Sequence, residues 1–182
     1  MKQLLLAVAA LFWLTACNNE GEGTASGADT ATTTTQANSE EAKEERNKET
    51  ALASLRAFEQ GNAEEVLKNV ATDAVEYGDG SMPEVKGRDS IMSGMKAWFA
   101  ATSDRKAEVL QAFADGDYVA VYGEFSGKWT GDYMGMKATG KSFKVKDVDI
   151  FKFNDEGKIV EHRSVQSPAV MANQIGMKMP DQ

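Results

Sequence analysis

The segment SFKVKDVDIFKFNDEGKIVEHRSVQ, residues 142–166, carries the clearest structural pattern in the chain. Apolar and polar side chains alternate over residues 142–153, which predicts a β-strand with one buried face and one solvated face. The residues Asn-Asp-Glu-Gly at 154–157 predict a tight turn. A second strand is then expected over residues 158–166, antiparallel to the first.

The alternation also predicts which side chains share a face. The lysines of the first strand lie on the solvated side, and the opposite side carries two carboxylates among apolar residues: Phe143, Val145, Asp147, Asp149, Phe151 and Phe153. On the second strand one face carries Val160, His162, Ser164 and Gln166.

Two interpretations of these polar residues remain open. If Asp149 points into an apolar pocket, desolvation should raise its pKa, as a general base in such a site requires. His162 would then lie across from it and donate or shuttle a proton. Alternatively, Asp147 and Asp149 pair with basic residues or lie at the sheet rim, and His162 is a hydrogen-bonded, partly buried histidine.

The segments before this pair extend the same architecture. Residues 107–113 and 118–125 flank an Asp-Gly turn and predict a hairpin. Further upstream, apolar residues recur at helical spacing in a helix that begins near Thr50 and ends at Gly61, in a short helix after Asn62, and in a helix opened by residues 87–90. A short strand is expected at 74–77, and Pro168 starts a last helix. Helices followed by a meander of strands predict an α+β fold with an antiparallel sheet.

The N-terminus predicts export. After Lys2, residues 4–14 are apolar and uncharged, which is the length of a signal-peptide core and too short for a permanent transmembrane helix, which needs about 20 residues. Leu14-Thr15-Ala16-Cys17 then resembles a bacterial lipobox, and Cys17 is the only cysteine. We therefore expect a signal peptide over 1–16, a lipidated Cys17 with a flexible tether over 17–49, and one domain over 50–182.

Composition excludes several function classes. The formal net charge is −8, so nucleic-acid binding is not expected, because phosphate neutralisation needs a basic face. The chain has one histidine, and its one cysteine is assigned to the lipid, so a Cys/His zinc site and a cysteine nucleophile are not expected either. No metal and no other cofactor is predicted.

One motif match is rejected. Residues 135–142, GMKATGKS, satisfy the P-loop pattern G-x-x-x-x-G-K-S. That pattern binds phosphate only between a strand and a following helix, whose N-terminus supplies the backbone N–H groups. Here the residues that follow alternate like a strand, so a glycine-bounded loop is predicted.

Three segments carry a family resemblance: LRAFEQGN at 55–62, VKGRDSI at 85–91 and VDIFKFNDEGKIVEH at 148–162. With the order of elements, they resemble the SnoaL-like branch of the NTF2-like proteins over about residues 50–176. The resemblance implies a cone in which a curved sheet wraps around helices and encloses an apolar pocket. The resembled family includes polyketide cyclases, isomerases and epoxide hydrolases, together with binding domains without known activity. Dimers that pair their sheets are common in it.

The chain departs from this pattern where the chemistry is expected. After Glu-His the family often continues Trp-Asp, with that aspartate as the acid/base of cyclase-type members. Here the two positions are Arg163 and Ser164, and a second acid three residues on is replaced by Ser167. A hydroxyl group cannot exchange protons near neutral pH as a carboxylate does, which disfavours catalysis.

Other residues are candidates for a pocket wall. Tyr77, Asp79, Trp98 and Phe99 come from segments that close the wide end of the cone in the family, although both aromatics of the helix also fit a core stripe. Aromatic and methionine side chains at 129–136 suit either a lid over an apolar ligand or a dimer contact. The complete set of expected ligand-binding residues is Tyr77, Asp79, Trp98, Tyr122, Glu124, Trp129, Phe151 and Ser164.

The functional expectation is a lipid-anchored domain of the cell envelope, outside the cytoplasm, that binds a small apolar or amphipathic molecule without catalysis. The alternatives are a cofactor-free isomerase, cyclase or hydrolase that uses Asp149 and His162, and a structural dimer. Asn18 after the lipidated cysteine resembles the pattern that directs lipoproteins to an outer membrane, where the cell has one.

Overall fold

The computed structural model describes residues 28–177. This part of the chain forms four helices and a single six-stranded sheet. Their bounds are α1, Ala28–Gln60; α2, Ala63–Val66; α3, Arg88–Ala101; and α4, Pro168–Ile175. Asn62 caps α2, because its side-chain oxygen accepts a hydrogen bond from the Glu65 N–H at 3.1 Å. The predicted signal peptide and the predicted lipidation site, Cys17, lie outside the described residues.

The strands form one sheet in the order β2-β1-β6-β5-β4-β3. Their bounds are β1, Val70–Glu76; β2, Val85–Lys86; β3, Thr102–Asp115; β4, Tyr118–Trp129; β5, Ser142–Phe153; and β6, Ile159–Ser164. Neighbouring strands are antiparallel except β1 and β6, which run parallel. The expectation of an antiparallel sheet is thus corrected: the sheet is mixed, because β1 enters next to the last strand of the chain.

One face of the sheet, here called the inner face, packs on the helices. Its buried residues include Val119 and Val121 of β4 and Phe151 of β5, and they contact Leu55 of α1 and Ile91 of α3 in one hydrophobic core. The other, outer face carries the lysines of β5, as the alternation predicts: Phe143, Val145, Asp147, Asp149, Phe151 and Phe153 are all buried, whereas Lys144 and Lys146 are exposed.

The alternation predicted for β6 fails at its start. A register shift between the pairs at Lys152 and Phe153 marks a bulge, and Ile159 lies opposite Phe153. Ile159 is 3% exposed and belongs to the core, whereas Val160 is only half-buried. From His162 onward the predicted face is correct.

The first helix begins earlier than the expected position near Thr50. The helix α1 starts at Ala28, and it contacts the tip of the β3–β4 hairpin through residues assigned to the tether. Lys43 lies 2.7 Å from Asp117, and Glu44 accepts a hydrogen bond from the Gly116 N–H at 2.8 Å. Asn47 is fully buried. The described part of the predicted tether is therefore helical. Over residues 39–49, charged, helix-prone residues continue the first helix backwards, and two of them find partners on the hairpin.

The segment between β4 and β5 is a loop that ends where β5 starts at Ser142, so the P-loop pattern has a strand, not a helix, after it. This confirms that the match lacks the geometry for phosphate binding. Within residues 28–177, none of the helices is long and apolar enough to cross a membrane.

Candidate functional site

Three strands bring three ionisable side chains together on the inner face. The pairing of β5 with β6 sets Phe151 opposite His162, and the pairing of β1 with β6 sets Glu76 opposite the same histidine. The His162 Nδ1 atom lies 2.7 Å from Glu76 Oε2, and Nε2 lies 3.2 Å from Asp149 Oδ1. The predicted pair of Asp149 and His162 is therefore in contact, and Glu76 joins it. We call Glu76, Asp149 and His162 the ion cluster.

Charge keeps the imidazole protonated. Burial by itself would lower the pKa of His162, but the negative charges and hydrogen bonds of Glu76 and Asp149 outweigh it and raise the pKa to about 10. In the imidazolium form both ring nitrogens donate, one to each carboxylate. The second oxygen of Glu76, Oε1, accepts a hydrogen bond from the Gly78 N–H at 2.8 Å, which fixes the carboxylate.

The ion cluster lies against an aromatic wall and is partly open. The rings of Phe151 and His162 are 4.7 Å apart, between centroids, at an interplanar angle of 40°. The side chains of His162 and Glu76 are each 25% exposed, whereas that of Asp149 is 9% exposed. Solvent therefore reaches the ion cluster mainly at His162 and Glu76.

A second polar pair lies beside the ion cluster. The Ser164 hydroxyl donates a hydrogen bond to Asp147 Oδ2, and the Val165 N–H donates to Asp147 Oδ1 at 2.9 Å. Burial raises the pKa of Asp147 above its ordinary value; the hydrogen bond from Ser164 opposes this shift, and the charge of Asp149 adds to it. Ser164, a predicted ligand-binding residue, therefore orients an aspartate of the next strand.

Four predicted residues are not brought to the ion cluster. The Tyr77 ring lies 4.5 Å from the guanidinium carbon of Arg163, because neighbours along a strand point to opposite faces and Glu76 takes the inner one. Asp79 closes a local turn by accepting a hydrogen bond from the Ser81 N–H at 2.9 Å. Tyr122 and Glu124 share one face of their strand, as expected, but that face is the outer one. Val121, the neighbour of Tyr122, lies opposite the inward-facing Asp149, so Tyr122 points the other way.

The remaining aromatic candidates form a separate cluster at the end of the sheet. Trp129 is 1% exposed, and its indole N–H donates to the Lys137 carbonyl at 3.2 Å. The rings of Trp98 and Tyr133 lie 5.7 and 5.8 Å from that of Trp129. Trp129 is therefore a core residue and not part of a lid, whereas Met134 in the same loop is 58% exposed.

Sequence reasoning missed Glu76. Nothing in its neighbourhood distinguishes it from other surface glutamates, and its contact with His162 spans 86 residues. Within residues 28–177, no group of three or more histidine, cysteine or acidic residues is arranged to hold a metal ion.

Comparison with known proteins gives the family. The family model described as SnoaL-like polyketide cyclase matches residues 48–175. The chain belongs to this SnoaL-like family. A search of curated proteins found no match.

Solved structures show the same fold as this SnoaL-like domain. A candidate hydroxylase, AclR from Streptomyces galilaeus, is 26% identical over 75% of this chain and 99% of its own, with a TM-score of 0.63. A candidate polyketide cyclase from Xanthomonas campestris is 18% identical over 73% and 98%, with a TM-score of 0.67. An epoxide hydrolase of M. tuberculosis, described as LEH-like, is 14% identical over 71% and 89%, with a TM-score of 0.59. These likenesses confirm the α+β, NTF2-like fold.

Proposed function

We propose that this SnoaL-like domain binds a small apolar or amphipathic molecule at the inner face of its sheet and does not transform it through Asp149 and His162. One observation supports the second part of this proposal, the absence of catalysis through Asp149 and His162. Both ring nitrogens of His162 are engaged by carboxylates, and its pKa is raised to about 10. An imidazolium with that pKa and no free N–H neither accepts nor shuttles a proton at neutral pH.

The first part of the proposal, ligand binding, is supported by the contribution of the ion cluster to stability. Compared with apolar packing of similar volume, a buried ion cluster adds little net stability, because desolvation offsets much of its attraction. The position of the ion cluster beside Phe151 therefore favours recognition of a polar group on a ligand. The partly exposed sides of His162 and Glu76 give such a group a place to bind.

A second candidate function is cofactor-free acid–base catalysis, and Asp147 is the observation that favours it. Asp147 is 7% exposed, its pKa is raised by burial, and Ser164 donates a hydrogen bond to it. A carboxyl group thus lies next to the position at which cyclase-type members of the resembled family carry their acid. In this candidate function Asp147, not Asp149, exchanges the proton.

We further propose that the domain is carried outside the cytoplasm by a lipid on Cys17, in the outer membrane if the cell has two membranes. The lipobox-like residues 14–17 and the apolar segment before them support this proposal. We also propose a homodimer through the outer face, where Phe113 is 59% exposed and Tyr118 is 49% exposed. Nucleic acid is not a proposed partner, because the chain is acidic.

Native mass spectrometry of the full chain, extracted from bacterial membranes in detergent, tests anchoring, dimerisation and binding together. We expect residues 1–16 to be absent, acyl mass to be attached to Cys17, and a small molecule to be retained. The retained molecule should be lost in Asp149→Asn and kept in Glu161→Gln, a matched change on the outer face. A mass without any bound small molecule in every sample would overturn the binding proposal.

Proton abstraction from 5-nitrobenzisoxazole separates binding from catalysis. A base removes the carbon-bound proton of this probe while its N–O bond breaks, which yields a coloured phenolate. The binding proposal predicts no acceleration beyond that of an equal concentration of acetate. Acceleration that disappears in Asp147→Asn would establish the second candidate instead.

A further inference from the structure

A second recognition site is suggested by the place where β6 stops. The strand β6 covers β5 only from Asp149 onward, because Ser164 is its last paired residue. The earlier half of β5 therefore has β4 on one side and no strand on the other. At some positions of that free edge the backbone forms a hydrogen bond with a group outside the sheet, and at one position it does not.

The closed positions flank the open one. The Gln174 side chain of α4 accepts from the Lys144 N–H at 2.6 Å and donates to the Lys144 carbonyl at 2.9 Å, as a neighbouring strand would. The Val165 N–H donates to the Val148 carbonyl at 3.0 Å. Backbone groups of alternate residues point to the same side of a strand, so the N–H and carbonyl of Lys146 point to this edge as well. No partner for them is found among residues 28–177.

A groove of about 440 Å³ runs along this open position between β5 and α4. That volume lies within the range of about 300–1,000 Å³ typical of ligand sites. The side-chain oxygen Oε1 of Gln166, which lines the groove, is buried and has no hydrogen-bond partner among the described residues. The groove therefore presents one backbone donor and one backbone acceptor, and a turn of the Gln166 side-chain amide would add an unsatisfied acceptor.

The groove also differs in charge from the rest of the protein. The chain carries a formal charge of −8, yet Lys144 and Lys146 both line the groove, against a single carboxylate, Glu124. Glu124 is paired with Lys144 at 2.5 Å. Among residues 28–177, Lys146 has no acidic partner within 4.0 Å. An anionic group is therefore attracted to this groove, although the molecule as a whole repels anions.

We propose that the groove binds an extended peptide segment with an acidic side chain, which pairs its backbone with the N–H and carbonyl of Lys146. Addition of a peptide to an exposed sheet edge uses main-chain hydrogen bonds for affinity and side-chain contacts for selectivity. The Lys146 ammonium binds the acidic side chain, and a peptide N–H donates to Gln166 Oε1. This site is separate from the ion cluster and does not depend on the function proposed for it.

Amide hydrogen exchange by NMR, on the ¹⁵N-labelled full chain in zwitterionic detergent, first tests the open edge. We expect the Lys146 N–H to exchange rapidly and the Lys144 N–H, which is bonded to Gln174, to exchange slowly. A Lys146 N–H that is protected in the dilute protein would overturn the proposal. Protection that increases with protein concentration would assign the groove to a second copy of the chain, and would overturn it too.

The blocked residue N-acetyl-glutamate N-methylamide is the peptide probe. We expect it to slow exchange at Lys146 about sixfold when its concentration is five times its dissociation constant. The change Lys146→Gln should weaken binding about two- to fivefold, as loss of an exposed ion pair does, while Lys128→Gln, elsewhere on the outer face, should not. Gln166→Leu should also weaken it, since it removes the unpaired acceptor.

Two comparison probes make the result specific. N-acetyl-lysine N-methylamide has the same backbone with the opposite charge, and we expect it to bind more weakly. Acetate supplies the charge without a backbone, and we expect it to leave exchange at Lys146 unchanged. Equal protection by acetate would show a simple anion site, and absence of any effect of the glutamate probe would show no site, so either result would overturn the proposal.

Discussion

The protonated state of His162 makes a quantitative prediction about stability and pH. Its pKa is raised from 6.5 to about 10 in the folded protein by Glu76 and Asp149, against the opposing effect of burial. One pKa unit corresponds to about 1.4 kcal/mol, so the shift corresponds to about 5 kcal/mol. A quarter of the imidazole is exposed and solvent screens the charges, so this figure is an upper bound.

The sign follows from proton binding. Because the folded pKa is raised, the full contribution is present below pH 6.5, where the folded and unfolded chains both hold the proton. Between pH 6.5 and about 10 the unfolded chain releases the proton and the folded chain keeps it, so stability falls as the pH rises. From pH 6.5 to pH 9 we expect a loss of up to about 3 kcal/mol in the free energy of unfolding.

The assay is direct because the chain contains a single histidine. The imidazole Hε1 resonance should not titrate between pH 5 and about 8.5, and urea unfolding at pH 6.5 and pH 9 should show the loss. In Glu76→Gln the histidine pKa should fall and the pH dependence should flatten, whereas Glu161→Gln should behave like the parent chain. A titration midpoint near 6.5 in the parent chain would refute the reasoning, since the carboxylates would then not hold the proton.

Four further changes test the packing, with urea unfolding as the measurement. Gly131→Ala should destabilise the fold, because the added Cβ would lie 2.7 Å from the Ala100 carbonyl oxygen. Gly94→Ala, at an exposed position of α3 with open space around it, should instead stabilise the fold by about 0.5–1 kcal/mol. Equal effects of the two changes would contradict both predictions. Trp129→Ala should cost about 3–5 kcal/mol, and a loss below 1 kcal/mol would show that the loop repacks. Asn47→Leu should stabilise by about 1 kcal/mol, because Asn47 is fully buried and its Nδ2 has no partner among the described residues; a loss of stability would point to an unseen partner.

The sheet faces were predictable where side chains alternate without interruption. Along the twelve residues of β5 every second residue is buried and the residues between are exposed or half-buried, so Asp147 and Asp149 lie on the buried face, as predicted. The same reasoning failed at Val160, because a bulge inserts a residue without changing the sequence pattern. It also failed for Tyr122, which was expected to bind the ligand but lies on the outer face, since the choice of face requires the register between β4 and β5.

The candidate site was predictable in part for a similar reason. Asp149 and His162 lie on strands joined by the five residues 154–158, so their proximity follows from a hairpin that local sequence encodes. Glu76 arrives through the parallel pairing of β1 with β6, for which the sequence near β1 contains no signal. The engagement of both ring nitrogens of His162, on which the proposed absence of proton transfer by that residue rests, therefore became visible only in the structure.

That parallel pairing also has a consequence for the order of folding. The contact between Glu76 and His162 spans 86 residues, so the entropy of closing a long loop must be overcome before the two strands pair. During synthesis the N-terminal part of the chain emerges first, and β1 must wait for the last strand before it gains this neighbour. The ion cluster is accordingly absent from any intermediate that lacks β6. A molecule that binds there stabilises the completed fold alone, so its occupancy reports how many chains have finished folding.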